Sequence, residues 1–288
     1  MKHNSRDVLA FAACLLMPLA FSGNAFATNH VTSCLTVITT SGLWVLDNDL
    51  TCTATAIYIE TNNVTLKLQG HTITGPGGST TFDGILVSTG TLTFTKNVTI
   101  LGPGTITGFY AGINFFGTEG GGVVDVKATN NFQGLYLSAD VQGNNSSNLL
   151  VTGNLVQSNT DGIYVEETVN SVIAGNNVAS NTSSGIWLAL GTGTSILGNV
   201  SDNNGFDGIT IGGVNANFSA SGITLEGNTT NSNVNMGIDV LDPGTAIFFK
   251  GNTALSNAVF DISDWNVGCA TDTYRSDVFG TANQTCVK

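Results

Sequence analysis

A short strand pattern, in which apolar residues alternate with variable ones, recurs nine times along the chain. Each copy has the form Gly-Ile-x-Val or a close variant, and the copies are anchored at Ile57, Ile85, Ile113, Leu135, Ile163, Ile186, Ile209, Ile238 and Phe260. Successive anchors lie 22 to 29 residues apart. A repeat of that length is typical of a solenoid, in which each repeat forms one coil and buries its apolar face against its neighbours.

The apolar positions within each copy alternate strictly, so the anchor and the second residue after it share one face, as Ile163 and Val165 do. This predicts that one face of every copy is buried. A second strand follows in most repeats and often ends in Gly-Asn, at Asn154, Asn176, Asn199, Asn228 and Asn252. A further asparagine lies five positions after each of them, at Asn159, Asn181, Asn204, Asn233 and Asn257. Because asparagine tolerates left-handed backbone and bonds nearby backbone groups, we expect asparagine ladders at equivalent corners.

Strands that are equivalent by repeat pair in parallel, and the connections between them carry no helical pattern. Parallel crossovers are right-handed almost without exception. The sequence therefore predicts an all-β fold, a single-stranded right-handed parallel β-helix of about nine coils. We expect an N-terminal cap over residues 28–55, the β-helix over 56–263 and a C-terminal cap over 264–288.

The first 27 residues have the order of a secretory signal peptide. Lys2 and Arg6 precede an apolar run over 8–21, and Ala25-Phe26-Ala27 forms an A-x-A cleavage site. We expect cleavage near Ala27 and export to the periplasm or the medium. No later stretch is long and apolar enough to span a membrane.

Four cysteines follow the predicted signal peptide, one pair near each end of the chain. In an exported protein they indicate two local disulfides that bound the caps, Cys34 to Cys52 and Cys269 to Cys286. The other two pairings would join opposite ends of a long solenoid.

The charge balance limits the possible partners. The chain has 20 acidic and 8 basic residues, a net charge of −12, and only 10% of its residues are charged. Without a basic stripe, nucleic acid is excluded as an expected partner, and anionic membranes are disfavoured. The neutral, polar surface suits a neutral or weakly charged glycan, and we expect a monomer.

The repeats resemble those of the pectin-lyase-like superfamily. The flanking segments LDNDLTC, NNVTLKLQGHTITG and CATDTYRSDVFGTANQTC are similar to those of secreted bacterial right-handed β-helix proteins. The resemblance implies the fold but not the chemistry, because the superfamily includes lyases, hydrolases, epimerases and proteins of no assigned activity. The chain has neither the Gly-His-Gly and Arg-x-Lys elements of polygalacturonases nor the basic cluster that a uronate lyase needs. We therefore favour a function without catalysis, and the alternative is a polysaccharide-active hydrolase or lyase.

Three successive copies carry an aromatic residue at the outward position between the two apolar ones: Tyr136, Tyr164 and Trp187. Such a row can stack against pyranose rings, and Glu166 stands beside it. Two insertions, 138–147 and 212–221, bracket the row and are candidates for the walls of a groove. The alternative is that these residues only stabilise one another across the sheet.

Acidic residues gather on the same face. Asp161 and Asp207 lie two coils apart and could act as the two carboxylates of a glycoside hydrolase. Asp239 and Asp261 are expected on adjacent coils, where Ca²⁺ would relieve their repulsion. The alternative for all four is a role in solubility alone. No other cofactor is evident.

Three functions are compatible with these observations. The first is an exported protein that binds glycan along the Tyr136, Tyr164 and Trp187 face without catalysis. The second is a polysaccharide hydrolase that uses Asp161 and Asp207. The third is a structural or adhesive surface rod.

Overall fold

The computed structural model describes residues 28–88, 94–140, 142–213 and 220–288. The predicted signal peptide lies outside the described residues, as do position 141 and residues 214–219 of the two predicted insertions. The described residues form strands throughout, apart from one 3₁₀-helix at Val267–Cys269. No helix among them is long and apolar enough to cross a membrane.

The strands are short, most of them two to five residues long. The first seventeen are β1 (Asn29–Val31), β2 (Thr36–Ile38), β3 (Gly42–Leu46), β4 (Leu50–Thr51), β5 (Ile57–Ile59), β6 (Val64–Lys67), β7 (Thr72–Thr74), β8 (Ile85–Val87), β9 (Thr95–Leu101), β10 (Thr105–Thr107), β11 (Ala111–Phe116), β12 (Thr118–Val124), β13 (Lys127–Thr129), β14 (Gln133–Ser138), β15 (Ser146–Ser147), β16 (Leu150–Thr152) and β17 (Leu155–Gln157). The others are β18 (Asp161–Val165), β19 (Thr168–Val169), β20 (Val172–Ala174), β21 (Asn177–Ala179), β22 (Ile186–Leu188), β23 (Gly191–Thr192), β24 (Ser195–Leu197), β25 (Ile209–Ile211), β26 (Ala220–Ser221), β27 (Thr224–Glu226), β28 (Met236–Val240), β29 (Phe248–Lys250), β30 (Thr253–Ala254), β31 (Phe260–Asp264), β32 (Thr273–Arg275) and β33 (Val278–Phe279).

Three parallel sheets run along the solenoid. Sheet 1 contains the repeat strands in the order β2-β5-β8-β11-β14-β18-β22-β25-β28-β31. Sheet 2 follows the path β1-β3-β6-β9-β12-β16-β20-β24-β27-β29-β32, with β15, β19, β23 and β26 beside it. Sheet 3 is β4-β7-β10-β13-β17-β21 and continues through bridges at Val200 and Thr229 to β30 and β33. Each coil thus contributes one strand to each sheet, as the predicted β-helix requires.

The repeat predicts the register of sheet 1 in eight of its nine copies, from Ile57 to Ile238. The ninth anchor is wrong: Phe260 pairs with Met236, and Ile262 pairs with Ile238. Ile262 is fully buried, whereas Phe260 retains exposed surface, so burial selects Ile262 as the inward residue. The segment 28–55, predicted as a cap, already pairs in register through β2 and β5, so the parallel stack begins there.

The core is a continuous column of aliphatic side chains inside the coils. The inward residues of sheet 1 meet those of the other two sheets, and examples from all three, Ile163, Ile173 and Val178, are fully buried. This burial on every coil is the main stabilising contribution to the rod. Its consequence for function is that only outward side chains of the sheets and the turns between them can meet a ligand.

Two buried asparagine ladders hold the corners on either side of sheet 3, and both predicted sets are confirmed. The first runs through Asn154, Asn176, Asn199, Asn228 and Asn252, and the second through Asn131, Asn159, Asn181, Asn204, Asn233 and Asn257. The backbone N–H and the Nδ2 of each asparagine donate to the Oδ1 of the next, as Asn176 does to Asn199 at 3.0 and 2.9 Å. These bonds satisfy the buried backbone groups of the turns.

Both predicted disulfides are present. Cys34 pairs with Cys52, with α-carbons 5.7 Å apart, and Cys269 pairs with Cys286, with α-carbons 6.0 Å apart. The second bridge belongs to a small apolar cluster with Ala254, Ile262 and Val287 that closes the C-terminal end of the core.

Candidate functional site

The outward positions of sheet 1 form one column in register along the rod. Asn114 pairs with Tyr136, Tyr136 with Tyr164, and Tyr164 with Trp187, and the column continues through Thr210 and Asp239. The predicted row of three aromatic residues is therefore contiguous. All three are partly buried.

The three rings contact one another. The ring centroids of Tyr136 and Tyr164 lie 5.4 Å apart with an interplanar angle of 11°, and those of Tyr164 and Trp187 lie 5.0 Å apart at 50°. Tyr164 thus has a ring neighbour on both faces, so the row presents ring edges and hydroxyl groups to a ligand. A free ring face remains only at the two ends of the row.

Hydroxyl groups and one carboxylate accompany the row. The Tyr136 hydroxyl donates to Glu166 Oε2 at 2.6 Å. Burial first, and then the Glu166 carboxylate, raise the pKa of Tyr136 above its ordinary value. The same two causes, with Asp161 in addition, raise the pKa of Tyr164 to about 12. Both hydroxyls therefore stay protonated and can act as hydrogen-bond donors.

A cavity of about 220 Å³ opens at the Trp187 end of the row. Its walls are aromatic and aliphatic, with Trp187, Phe206 and Leu241, and its polar groups come from Ser183, Ser184, Asp207, Thr210 and Asp239. The Nε1–H of Trp187 donates to the Gly212 carbonyl at 3.0 Å, which fixes the indole as one wall. Phe206, on the turn before β25, is 49% exposed and contributes a second aromatic ring to the lining.

Asp207 has a structural role in this cavity. It is fully buried; its Oδ1 accepts from Asn235 Nδ2 and Met236 N at 2.8 and 3.0 Å, and its Oδ2 accepts from the Thr210 hydroxyl at 2.8 Å. All of its hydrogen bonds hold the turn between sheets 3 and 1. Asp207 has no exposed surface and its carboxylate is engaged in these bonds, while its use with Asp161 as a catalytic pair stays a prediction.

Asp161 lies two coils before Asp207, with Ser184 at the equivalent position between them. Its Oδ1 is buried without a hydrogen-bond partner. Burial raises the pKa of Asp161, against hydrogen bonds from Ser183 and Ser184. At a coil spacing of about 4.8 Å, the two α-carbons stand about 10 Å apart.

Further unpartnered oxygens lie on the N-terminal part of the same sheet. Asp83 Oδ1, Asn114 Oδ1 and Gln133 Oε1 are buried without a donor, although Asn114 Nδ2 donates to Asp83 Oδ2 at 3.1 Å. Burial raises the pKa of Asp83 to about 6. The sequence pattern did not single out these side chains, because they lie outside the aromatic row.

Asp239 lines the cavity and is in register with Ser263 rather than with Asp261. Its Oδ1 accepts from the Ser263 hydroxyl and from Trp265 Nε1, the latter at 2.9 Å. Burial, opposed by the bond from Ser263 and aided by the Asp207 charge, raises the pKa of Asp239 to about 6. Sequence reasoning missed Ser263 and Trp265 because it aligned the last coil on Phe260.

Asp261 does not line the cavity and ends the second asparagine ladder. Its Oδ1 accepts from Asn257, and its Oδ2 accepts from Gly280 N and Thr281 N. Asp239 and Asp261 are therefore not paired on adjacent strands, and a calcium site at either residue stays a prediction. Within the described parts of the chain, no group of three or more His, Cys, Asp or Glu residues could hold a metal ion.

Comparisons with known proteins agree with this architecture. A family model described as "Right handed beta helix region" matches residues 138–254. No curated protein matches the chain in sequence.

Several solved structures are similar at low identity. The A-module of the mannuronan C-5 epimerase AlgE4 from Azotobacter vinelandii is 17% identical with a TM-score of 0.55, over 82% of this chain and 70% of that one. Pectate lyase Pel9A is 12% identical with a TM-score of 0.58, over 87% and 71%. The periplasmic alginate epimerase AlgG is 14% identical with a TM-score of 0.53, over 84% and 75%. This chain is thus a right-handed parallel β-helix protein with the pectin-lyase-like fold.

Proposed function

We propose that this protein binds a neutral or weakly charged glycan on the outer face of sheet 1, with one sugar ring held in the cavity beside Trp187. The observation that carries the proposal is the cavity itself, which is lined by the aromatic side chains of Trp187 and Phe206 and by the Asp239 carboxyl. Sugars have apolar C–H faces and polar edges, so aromatic walls with a few polar groups suit them.

The size of the cavity supports a single ring. Sites for drug-sized ligands begin at about 300 Å³, and this cavity holds about 220 Å³. The Trp187 end of the row matters because Thr210, which has no ring, follows Trp187 in the column, so the outer face of the indole is not covered by a ring of the column. We therefore assign the sugar ring to the Trp187 end of the row, and Tyr164 and Tyr136 offer their ring edges to the rest of the glycan.

The remaining sugar units of the glycan would lie along the row toward Tyr136. There, the hydroxyls of Tyr136 and Tyr164 and the carboxylate of Glu166 offer both donors and acceptors for sugar hydroxyls. The outward column of sheet 1 contains no lysine, arginine or histidine. This favours a neutral glycan over a polyanionic one.

Catalysis is not part of the proposal. Hydrolysis needs two carboxylates with access to the glycosidic bond, and Asp207 lacks that access. The adhesive or structural rod remains the alternative, and it is the outcome if no glycan binds.

Export is part of the proposal. The charged and apolar order of residues 1–27, the A-x-A site at Ala27 and the two disulfides support an exported protein. Mass spectrometry of the protein recovered from periplasm or medium should then give an N-terminus at Thr28.

A glycan array carrying neutral and anionic glycans, probed with and without calcium, tests the binding function. We expect the wild type to bind a neutral class and Trp187→Ala with Phe206→Ala to lose that binding. Phe248→Ala, on the outer face of sheet 2, is the matched control and should bind normally. If the wild type binds nothing, or the double variant binds as well as the wild type, the proposal is wrong.

A further inference from the structure

The two oxygens of Asp239 have different surroundings. Oδ1 accepts from the Ser263 hydroxyl and from Trp265 Nε1. Oδ2 has no hydrogen-bond partner among the described residues and is not fully enclosed by protein atoms. It is therefore the oxygen that faces the cavity. The residue as a whole is only 4% exposed. One open oxygen therefore defines the polar end of the cavity.

The charges around Asp239 are all negative. Asp207, on the turn before β25, and Asp264, on β31, both act on it through their carboxylates and raise its pKa, after the larger effect of burial. The residues that line the cavity include no lysine, arginine or histidine. An ionised Asp239 thus depends on the water at Oδ2 for its remaining solvation.

We propose that a neutral sugar enters this cavity together with a proton on Asp239, so that binding is linked to proton uptake and weakens as the carboxyl ionises. The inference rests on the proposed function. A sugar ring that covers the opening removes the water from Oδ2. The neutral carboxyl tolerates this and donates its proton to a sugar oxygen, whereas the carboxylate would be left between two like charges.

A ligand-free experiment tests the titration at this position. Trp265 donates to the Asp239 carboxyl and Trp187 lines the same cavity, so their emission should change as Asp239 ionises. In a Trp44→Phe background, we expect a transition with a midpoint near pH 6. Asp239→Asn should abolish it, because the amide imitates the neutral acid. Asp202→Asn, a carboxyl on a distant turn, should leave it unchanged.

Calorimetry tests the linkage to the sugar. The probes are methyl β-D-glucopyranoside, methyl β-D-galactopyranoside and methyl α-D-mannopyranoside, titrated at pH 5 and at pH 8 in buffers of different ionisation enthalpy. For a probe that binds, we expect Kd to rise about tenfold from pH 5 to pH 8 if binding shifts the carboxyl by one pKa unit. Proton uptake should appear near pH 6.5, and Asp239→Asn should bind with the pH 5 affinity throughout.

The outcomes separate the two proposals. Sugar binding that does not vary with pH in the wild type, or that varies equally in Asp239→Asn, overturns the linkage and leaves glycan binding standing. If the tryptophan emission titrates but the protein binds no glycan on the array, the proposed binding function is wrong. The proposed linkage is then wrong as well.

Discussion

Asp261 accepts two hydrogen bonds from Asn257, one from its backbone N–H and one from its Nδ2, each at 3.0 Å. In every earlier step of this ladder the acceptor is the next asparagine, so Asp261 replaces the asparagine that a further coil would have supplied. Asp277 ends the first ladder in the same way, by accepting from Asn252 at 2.8 Å. Each ladder therefore stops at a carboxylate at the C-terminal end of the rod.

Replacing this carboxylate should loosen the cap. Asp261→Ala leaves Asn257, Gly280 and Thr281 without their acceptor. Since unsatisfied buried donors cost about 1–3 kcal/mol each, we expect the free energy of unfolding to fall by about 3 kcal/mol. Asp261→Asn keeps one acceptor oxygen and should lose less. Urea unfolding measures both.

Hydrogen exchange supplies the control for this variant. Protection should be lost first in β31 to β33 and retained in β5 to β14. Glu226→Ala removes an exposed carboxylate that pairs with Lys250 and should change stability by less than about 0.5 kcal/mol. A uniform loss of protection along the rod would contradict a role confined to the cap.

The interior of a ladder should be still less tolerant. Asn199 is fully buried, donates to the Ile173 carbonyl and Asn228 Oδ1, and accepts from Asn176. Asn199→Ala breaks these bonds and leaves their partners buried, so we expect a loss of at least about 3 kcal/mol by urea unfolding. Asn177 is exposed and directly follows Asn176 of the same ladder. Asn177→Ala should therefore change the free energy of unfolding very little. Equal losses at the two positions would contradict the ladder as the cause.

The sequence predicts most of the fold because the repeat specifies each coil separately. Alternation at Ile163 and Val165 determines the inward face, and the asparagines determine the corners. The prediction failed at Phe260, where the motif loses its glycine and an aromatic residue resembles an anchor. There the burial of Ile262 decided the register, and burial depends on the neighbouring cap.

The candidate site was only partly predictable. The aromatic column follows from the repeat, but the contacts of Tyr164 on both ring faces depend on side-chain orientation. The cavity also needs Phe206 and Leu241, which lie on turns outside the repeat pattern. Asp207 appeared to be a candidate catalyst because spacing gives the distance between two coils and not the hydrogen bonds of a carboxylate.

The aromatic stack should contribute measurably to stability. Tyr164 has ring neighbours on both faces, whereas Tyr58, in the same outward column, pairs with Val37 and Leu86. Each aromatic contact is worth about 0.5–1.5 kcal/mol beyond burial. Tyr164→Leu should therefore lower the free energy of unfolding by about 1–2 kcal/mol more than Tyr58→Leu. Equal losses in urea would mean that the stack contributes nothing specific.

Three carboxyls, two buried and one half-buried, should make the protein less stable as the pH rises from 4 to 7. The pKa values of Asp83, Asp239 and Asp272 are raised to about 6, with burial as the largest cause for each. Between their unfolded value near 3.8 and about 6, the folded state binds more protons than the unfolded state. Stability therefore falls through this window and levels off above it.

A single substitution isolates one of these carboxyls. Asp83→Asn removes the charge, and its new amide can donate to Asn114 Oδ1, which now lacks a partner. Two pKa units correspond to at most about 3 kcal/mol. We expect Asp83→Asn to be more stable than the wild type at pH 7 by about 1–3 kcal/mol and to differ little at pH 4. Asp125→Asn, at an exposed position, should follow the wild-type profile. Urea unfolding at pH 4, 5.5 and 7 measures the difference, and an Asp83→Asn profile parallel to that of the wild type would contradict the assignment.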